Sequence, residues 1–163
     1  VNIVTKRLFP ALNHPAKMLE VGVTKLEDLI KDCGLYKSKA KNLIATCHIL
    51  VEQYHGEVPR EFDQLVELPG VGRKTANVVV SVLFGTPAIA VDTHVFRVAN
   101  RLKLGIAKTP EEMEQKLQKA IPKEKWSATH HWLIYHGRRV CKARKPLSET
   151  FFLHHLCQSA GKV

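Results

Sequence analysis

Two residues in this chain have the type and setting to do chemistry: a lysine just past a glycine-rich turn and an aspartate behind an apolar run. Lys74 lies in Leu68-Pro69-Gly70-Val71-Gly72-Arg73-Lys74-Thr75-Ala76. Pro69 stops the preceding helix, and Gly70 and Gly72 permit positive φ and carry no Cβ to block a close approach. The next helix then points its unpaired N–H groups outward, which suits a phosphate oxygen. An ordinary helix–turn–helix corner with two glycines is the plain alternative. A cation in the first turn of a helix is opposed by the helix dipole, and a neutral amine there is a nucleophile able to form a Schiff base. A solvated lysine or a simple phosphate contact is the competing reading of Lys74. Asp92 follows Ala88-Ile89-Ala90-Val91 and opens another helical pattern. It has the place of an N-cap. A capping carboxylate in a cleft can also accept a proton or stabilise developing positive charge.

A second basic element lies near the C-terminus. Arg138, Arg139, Lys142, Arg144 and Lys145 are interrupted by no acid before Glu149. Phosphate contact is the functional reading and a solvated basic loop the plain one. The whole chain of 163 residues carries a formal net charge of +10. Such an excess favours a polyanionic partner, most often nucleic acid. No pattern pairs a basic helix face with a bulky apolar one, so no membrane partner is expected. An apolar fraction of 45% with 25% charged residues excludes disordered, collagen-like and coiled-coil classes. The longest apolar stretch, from Val78 to Val91, is broken by Ser81, Gly85, Thr86 and Pro87 and is too short to span a bilayer.

The elements that must position these residues read as helices throughout. Leu43, Ile44, Cys47, Leu50, Val51 and Tyr54 follow helical spacing, as do Met113, Leu117, Ala120 and Ile121. The pattern predicts helices near 2–9, 15–20, 24–32, 37–54, 60–67, 73–84, 93–102, 110–120 and 125–138, with a shorter one over 149–156. Prolines fall between or at the starts of these segments. Trp126 and Trp132 are expected in the core. His130, His131 and His136 lack the spacing of a helical metal pair and are expected to serve packing.

LPGVGRKTANVVV resembles the helix–hairpin–helix of the endonuclease III family of DNA glycosylases. Val91-Asp92-Thr93-His94 is similar to that family's VDTH segment, and GLYKSKA at 34–40, GEVP at 56–59 and HHWLIYHGRRVC at 130–141 match further. The resemblance runs over nearly the whole chain. It implies an all-α helix–hairpin–helix glycosylase fold, a six-helix barrel domain with a remnant of a terminal cluster domain. Residues 1–91 would hold the barrel part, with the hairpin near 61–84, and 92–163 the second helical part. The implied activity is base-excision repair: a bifunctional N-glycosylase and abasic-site lyase acting on oxidised pyrimidines in double-stranded DNA. Lys74 would be the nucleophile at C1′ and Asp92 the catalytic carboxylate. Lys74 argues for the lyase-bearing branch over the adenine-excising relatives. Gly70, Gly72, Arg73, Thr75, Lys142, Arg144 and Lys145 would contact DNA. A monomer in the bacterial cytoplasm, associated with the nucleoid, is expected.

The family also ends in C-x6-C-x2-C-x5-C, four thiolates around a 4Fe–4S cluster. Here the four positions are Cys141, Ser148, Phe151 and Cys157, within a segment 141–157. Serine oxygen is a poor ligand and phenylalanine cannot ligate, so no complete cluster is expected and Cys141 and Cys157 are remnant positions. Zinc held by Cys141, Cys157 and His154 or His155 is a lesser alternative. The cysteine spacing otherwise reads as reduced and intracellular. The chain opens at Val1 in an uncapped helical pattern, and relative to the family N-terminal helices are expected to be missing. That loss would leave the Val78–Leu83 face uncovered. A catalytically inactive DNA-binding module, or a non-functional fragment, is the alternative reading of the chain.

Overall fold

The computed structural model describes residues 1–147, 151, 152 and 154–162. Among the described residues the regular elements are all helical: α1 (Asn2–Leu8), α2 (Pro15–Leu29), α3 (Tyr36–Tyr54), α4 (Phe62–Val66), α5 (Arg73–Phe84), α6 (Thr93–Leu102), α7 (Pro110–Ala120) and α8 (Trp126–Arg139). Single 3-10 turns occupy Lys123–Lys125 and His154–Leu156. The helix expected over 149–156 is thus one short turn where it is described, and part of it lies outside the described residues.

The chain divides into two compact units, Val1–Gly72 and Arg73–Val163. The division falls at the glycine turn. In the first unit α2 packs on α3. Its core gathers Val4, Leu8, Met18, Leu26, Ile30, Cys33, Ala40 and Cys47. Proline at the first position starts α2, where His14 Nδ1 accepts the Ala16 N–H at 3.2 Å. Gly22 (φ 74°, ψ 167°) kinks α2, which is why the sequence reads as two helices there.

The glycine turn closes this unit. Thr46 Oγ1 donates to the Pro69 carbonyl at 3.0 Å. Gly70 has φ +77°, and a Cβ there would lie 2.5 Å from Asn42 Nδ2. Both conformation and space therefore require glycine. Gly72 differs from the expectation: it has no positive φ, and a Cβ would meet nothing within 4 Å. Its turn is completed by Gly70 alone, so the left-handed conformation is used once.

The second unit is built on α6, which packs against α8. Ile89, Val91, Val95, Val98, Ala99, Met113, Leu117 and Leu133 form its core. Two of its helix starts have a side-chain cap. Asp92 caps α6, and Thr109 caps α7 by accepting the Glu112 N–H at 3.2 Å. Pro110, Glu111 and Glu112 fill the first turn of α7 and Lys119 its last, as the helix dipole favours. Lys103, at φ 59°, ends α6 in the left-handed region. Trp126 is partly buried and donates Nε1–H to the Ile121 carbonyl at 2.9 Å. Trp132 departs from the expectation: it is 58% exposed, because α8 turns Leu133 rather than its neighbour toward α6.

Candidate functional site

Lys74 and Asp92 both belong to the second unit. Helix α5 begins at Arg73, so Lys74 stands in its first turn, exposed, ahead of the buried face of Ala76, Asn77 and Val80. Lys74 lines a cleft of about 30 Å³ with Arg73, Val91, Pro110, Glu111 and Glu114. Val91 is the residue before Asp92, so the chain leading into the aspartate forms a wall of the lysine's own cleft. Asp92 is half-buried, and its Oδ1 accepts the Val95 N–H at 2.8 Å. Its other oxygen, Oδ2, makes no hydrogen bond among the described residues. The cap holds the carboxylate rigid while one oxygen stays available.

The charge beneath Lys74 is set by a residue that the sequence reading missed. Glu114 is 4% exposed. Arg73 donates to both of its oxygens, Nε–H at 2.9 Å and Nη2–H at 2.8 Å, and Asn77 Nδ2 adds a third bond at 3.0 Å. This bidentate pairing raises the Arg73 pKa above its ordinary value, chiefly through the hydrogen bonds to Glu114. Arg73, expected to contact DNA, therefore has a structural partner inside the protein. A helical wheel contained the signal: Pro110, Glu114 and Leu117 share one face of α7, and Leu117 is fully buried.

His130 is the second residue whose importance spacing did not show. It is buried, and its Nδ1–H donates to the Ala90 carbonyl at 2.6 Å. Burial lowers its pKa below 6.5. Smaller electrostatic effects on it come from Asp92, which raises it, and Lys74, which lowers it. One imidazole thus feels both residues, and it anchors the strand-like run that delivers Asp92.

The expected DNA-contacting residues fall in three places. Thr75 is exposed beside Lys74 on α5, whereas Gly70 and Gly72 close the first unit. Lys142, Arg144 and Lys145 are all exposed on the loop after α8.

The segment expected to carry remnant cluster ligands offers a poor donor set. Cys141 is buried and Cys157 half-buried, and both thiols are free. They line a pocket of about 20 Å³ with His136, Val140, Phe151 and His154. The Phe151 ring packs on the His136 imidazole at 4.7 Å between centroids. An aromatic ring with no donor atom therefore fills a ligand position. Ser148 lies outside the described residues. Among the described residues no set of three or more His, Cys, Asp or Glu side chains converges as metal ligands. This includes the Cys141, Cys157 and histidine combination considered for zinc. These residues do not fit a four-thiolate cluster.

Residues 1–123 match the HhH-GPD superfamily of base excision DNA repair proteins. Endonuclease III of Escherichia coli (strain K12) is 52% identical over 163 residues, covering 100% of this chain and 77% of that protein. The chain belongs to the endonuclease III branch of that superfamily. A solved non-covalent endonuclease III–DNA complex superposes with a TM-score of 0.93 at 51% identity, over 98% of this chain and 75% of the other. A trapped endonuclease III–DNA covalent intermediate superposes equally, with a TM-score of 0.93 and 51% identity over the same shares. The all-α helix–hairpin–helix glycosylase fold is thereby shown. So is the function of an endonuclease III family member, a DNA glycosylase and abasic-site lyase of base excision repair. Among the described residues no helix is long and apolar enough to cross a membrane.

Proposed function

We propose that this endonuclease III family chain excises oxidised pyrimidines from double-stranded DNA, with Lys74 as nucleophile and Asp92 as catalytic carboxylate. The carrying observation is the shared cleft: Lys74 and Val91 line it, and Asp92 follows Val91 as the rigid cap of α6. The Lys74 amine attacks C1′ of the damaged nucleotide. The bond from C1′ to the base breaks, and the base leaves with the bonding pair. Asp92 takes a proton from the amine and stabilises positive charge on the sugar. Ring opening gives the Schiff base. Loss of a C2′ proton then expels the 3′ phosphate oxygen by β-elimination. Duplex DNA hides C1′, so the nucleotide must leave the stack first.

DNA contact is assigned to Gly70, Gly72, Arg73, Thr75, Lys142, Arg144 and Lys145. The open space beside Gly72 supports this, since no neighbour in the chain requires a glycine there. A monomer in the bacterial cytoplasm at the nucleoid completes this reading, and the relatives at about half identity are bacterial. The family's 4Fe–4S cluster is absent as a complete site, because Phe151 and Ser148 stand at two ligand positions.

Borohydride trapping on a duplex with one abasic site tests the assignment. A covalent protein–DNA adduct that disappears in Lys74→Gln is expected. An adduct of equal yield in Lys74→Gln would remove Lys74 from the chemistry.

A further inference from the structure

The loop after α8 keeps a defined shape although its segment lacks a cluster's ligands. It is closed at both ends on one carbonyl: the N–H groups of Lys142 and Leu147 each donate to Val140 O at 2.9 Å. Lys145 turns the chain in the left-handed region at φ 53°. Two arginines one turn apart on α6 face this loop and the end of α8. Arg97 Nη2–H donates to the Gly137 carbonyl at 2.9 Å and to the Cys141 carbonyl at 3.1 Å. The Gly137 carbonyl is one that the end of α8 leaves without an intrahelical partner, and Cys141 lies just beyond that end. Arg101 spreads its fork over the next two: Nη1–H donates to Lys142 O at 2.7 Å and Nη2–H to Ala143 O at 3.2 Å. Nη1 also lies 3.5 Å from Cys141 Sγ. Ser159 Oγ donates to the Arg101 carbonyl at 2.8 Å, tying the end of α6 to the terminal segment.

The consequence is geometric. With the Lys142 and Ala143 carbonyls turned inward onto one guanidinium, the side chains of Lys142, Arg144 and Lys145 are left exposed. We infer that Arg101 is a positioning residue that shapes this basic loop for phosphate contact, in the place of a metal cluster. The inference rests on the proposed role of the loop in DNA contact. A guanidinium suits the task because its planar fork is permanently charged and matches two adjacent oxygens, which a lysine cannot do. The loop's shape then depends on neither iron supply nor redox state.

The test is equilibrium binding of the full chain to an abasic-site duplex across a salt series. Each phosphate contact contributes about 0.9 to the slope of log K against log salt. The loop variant K142A/R144A/K145A is expected to flatten that slope by roughly two to three. Arg101→Lys retains the charge but loses the fork, and is expected to flatten the slope by a similar amount. It should weaken binding at moderate salt about tenfold and add nothing when combined with the loop variant. Arg101→Met should behave alike, and helical circular dichroism identifies any variant that has not folded. A wild-type slope in Arg101→Lys beside a flattened loop variant would overturn the inference while leaving the loop's DNA role intact. An unchanged slope in the loop variant would instead overturn the DNA role and the inference with it. Stoichiometric iron and acid-labile sulfide in protein from iron-replete cells would overturn the replacement of the cluster. Their absence is the expected result.

Discussion

Removing the Glu114 carboxylate should loosen the first turn of α5, the turn that carries Lys74. Glu114→Ala has three separable costs. Asn77 is 5% exposed and donates to Glu114 Oε2 at 3.0 Å. Stripped of its acceptor in a buried site, the amide costs about 2 kcal/mol. The Arg73 side chain is 48% exposed, so water replaces most of what it loses, and that share is about 0.5 kcal/mol. The lost side-chain volume adds about 1 kcal/mol. The sum, about 3.5 kcal/mol, is within the range for breaking a buried pair. For a chain of this size it corresponds to a fall in Tm of roughly 7–14 °C. The reverse truncation, Arg73→Ala, leaves the buried Glu114 side chain with Asn77 and Gln118 as its donors among the described residues. It should cost as much or more. The double variant should then cost less than the sum of the singles, with a coupling of about 1–2 kcal/mol. Denaturant unfolding followed by far-ultraviolet circular dichroism measures all four corners. A Glu114→Ala protein melting within ~2 °C of wild type, or single effects that simply add, would refute this account of α5.

Four further outcomes follow from the geometry. Asp92→Asn should keep the α6 cap and stability while abolishing trapping, whereas Asp92→Ala should also lose about 1 kcal/mol on denaturant unfolding. Gly70→Ala should destabilise by about 1–3 kcal/mol because it combines φ +77° with a contact at 2.5 Å, while Gly72→Ala should leave the melt unchanged and weaken only DNA binding. His130 and His136 both have pKa values lowered from 6.5 by burial, so the unfolded chain binds more protons. Their contribution is complete above pH 6.5 and is lost as pH falls below it, by at most about 1.4 kcal/mol per pH unit for each; His130→Gln should flatten the pH dependence of denaturant stability. Burial pushes the Cys47 thiol pKa up, so timed alkylation with mass spectrometry should label half-buried Cys157 well before Cys47.

What the sequence made legible was whatever a single residue can enforce locally. Pro69 and Gly70 announce a helix stop and a left-handed turn, and Asp92 announces a helix start. Each acts through its own backbone or the next few residues. What stayed hidden depends on partners distant along the chain. Glu114 reads as one more acid in Glu111-Glu112-Met113-Glu114, and only the packing of α7 shows that it is buried on Arg73. Arg97 and Arg101 read as ordinary helix cations, and nothing nearby points to carbonyls some forty residues later. Trp132 misled for the same reason: a large aromatic suggests a core, but which side of α8 faces α6 is decided by the smaller Leu133. Gly72 shows a different limit. Its sequence neighbourhood is that of a second conformational glycine, yet its backbone needs none.

Formal charge overstates the surface that this protein can offer a polyanion. Arg97 and Arg101 are spent on backbone carbonyls, while Arg73 pairs with Glu114 and keeps about half of its side chain exposed on the turn assigned to DNA. Lys116 pairs with Glu112 at 2.6 Å. Arginines with a planar fork go where two oxygens must be held together, and lysines go where a solvated point charge is enough. Lys74, Lys142 and Lys145 are accordingly exposed, with Arg144 beside them. The phosphates neutralised on binding are set by the cations grouped at the turn before α5 and on the loop after α8, a number well below the net charge of +10. The salt slope of the wild-type chain reads that number directly. A slope close to the formal charge would mean that the internal arginine pairs open when DNA binds. A slope near three or four would mean that they stay closed, and that the turn at α5 and the loop after α8 carry the electrostatic contact.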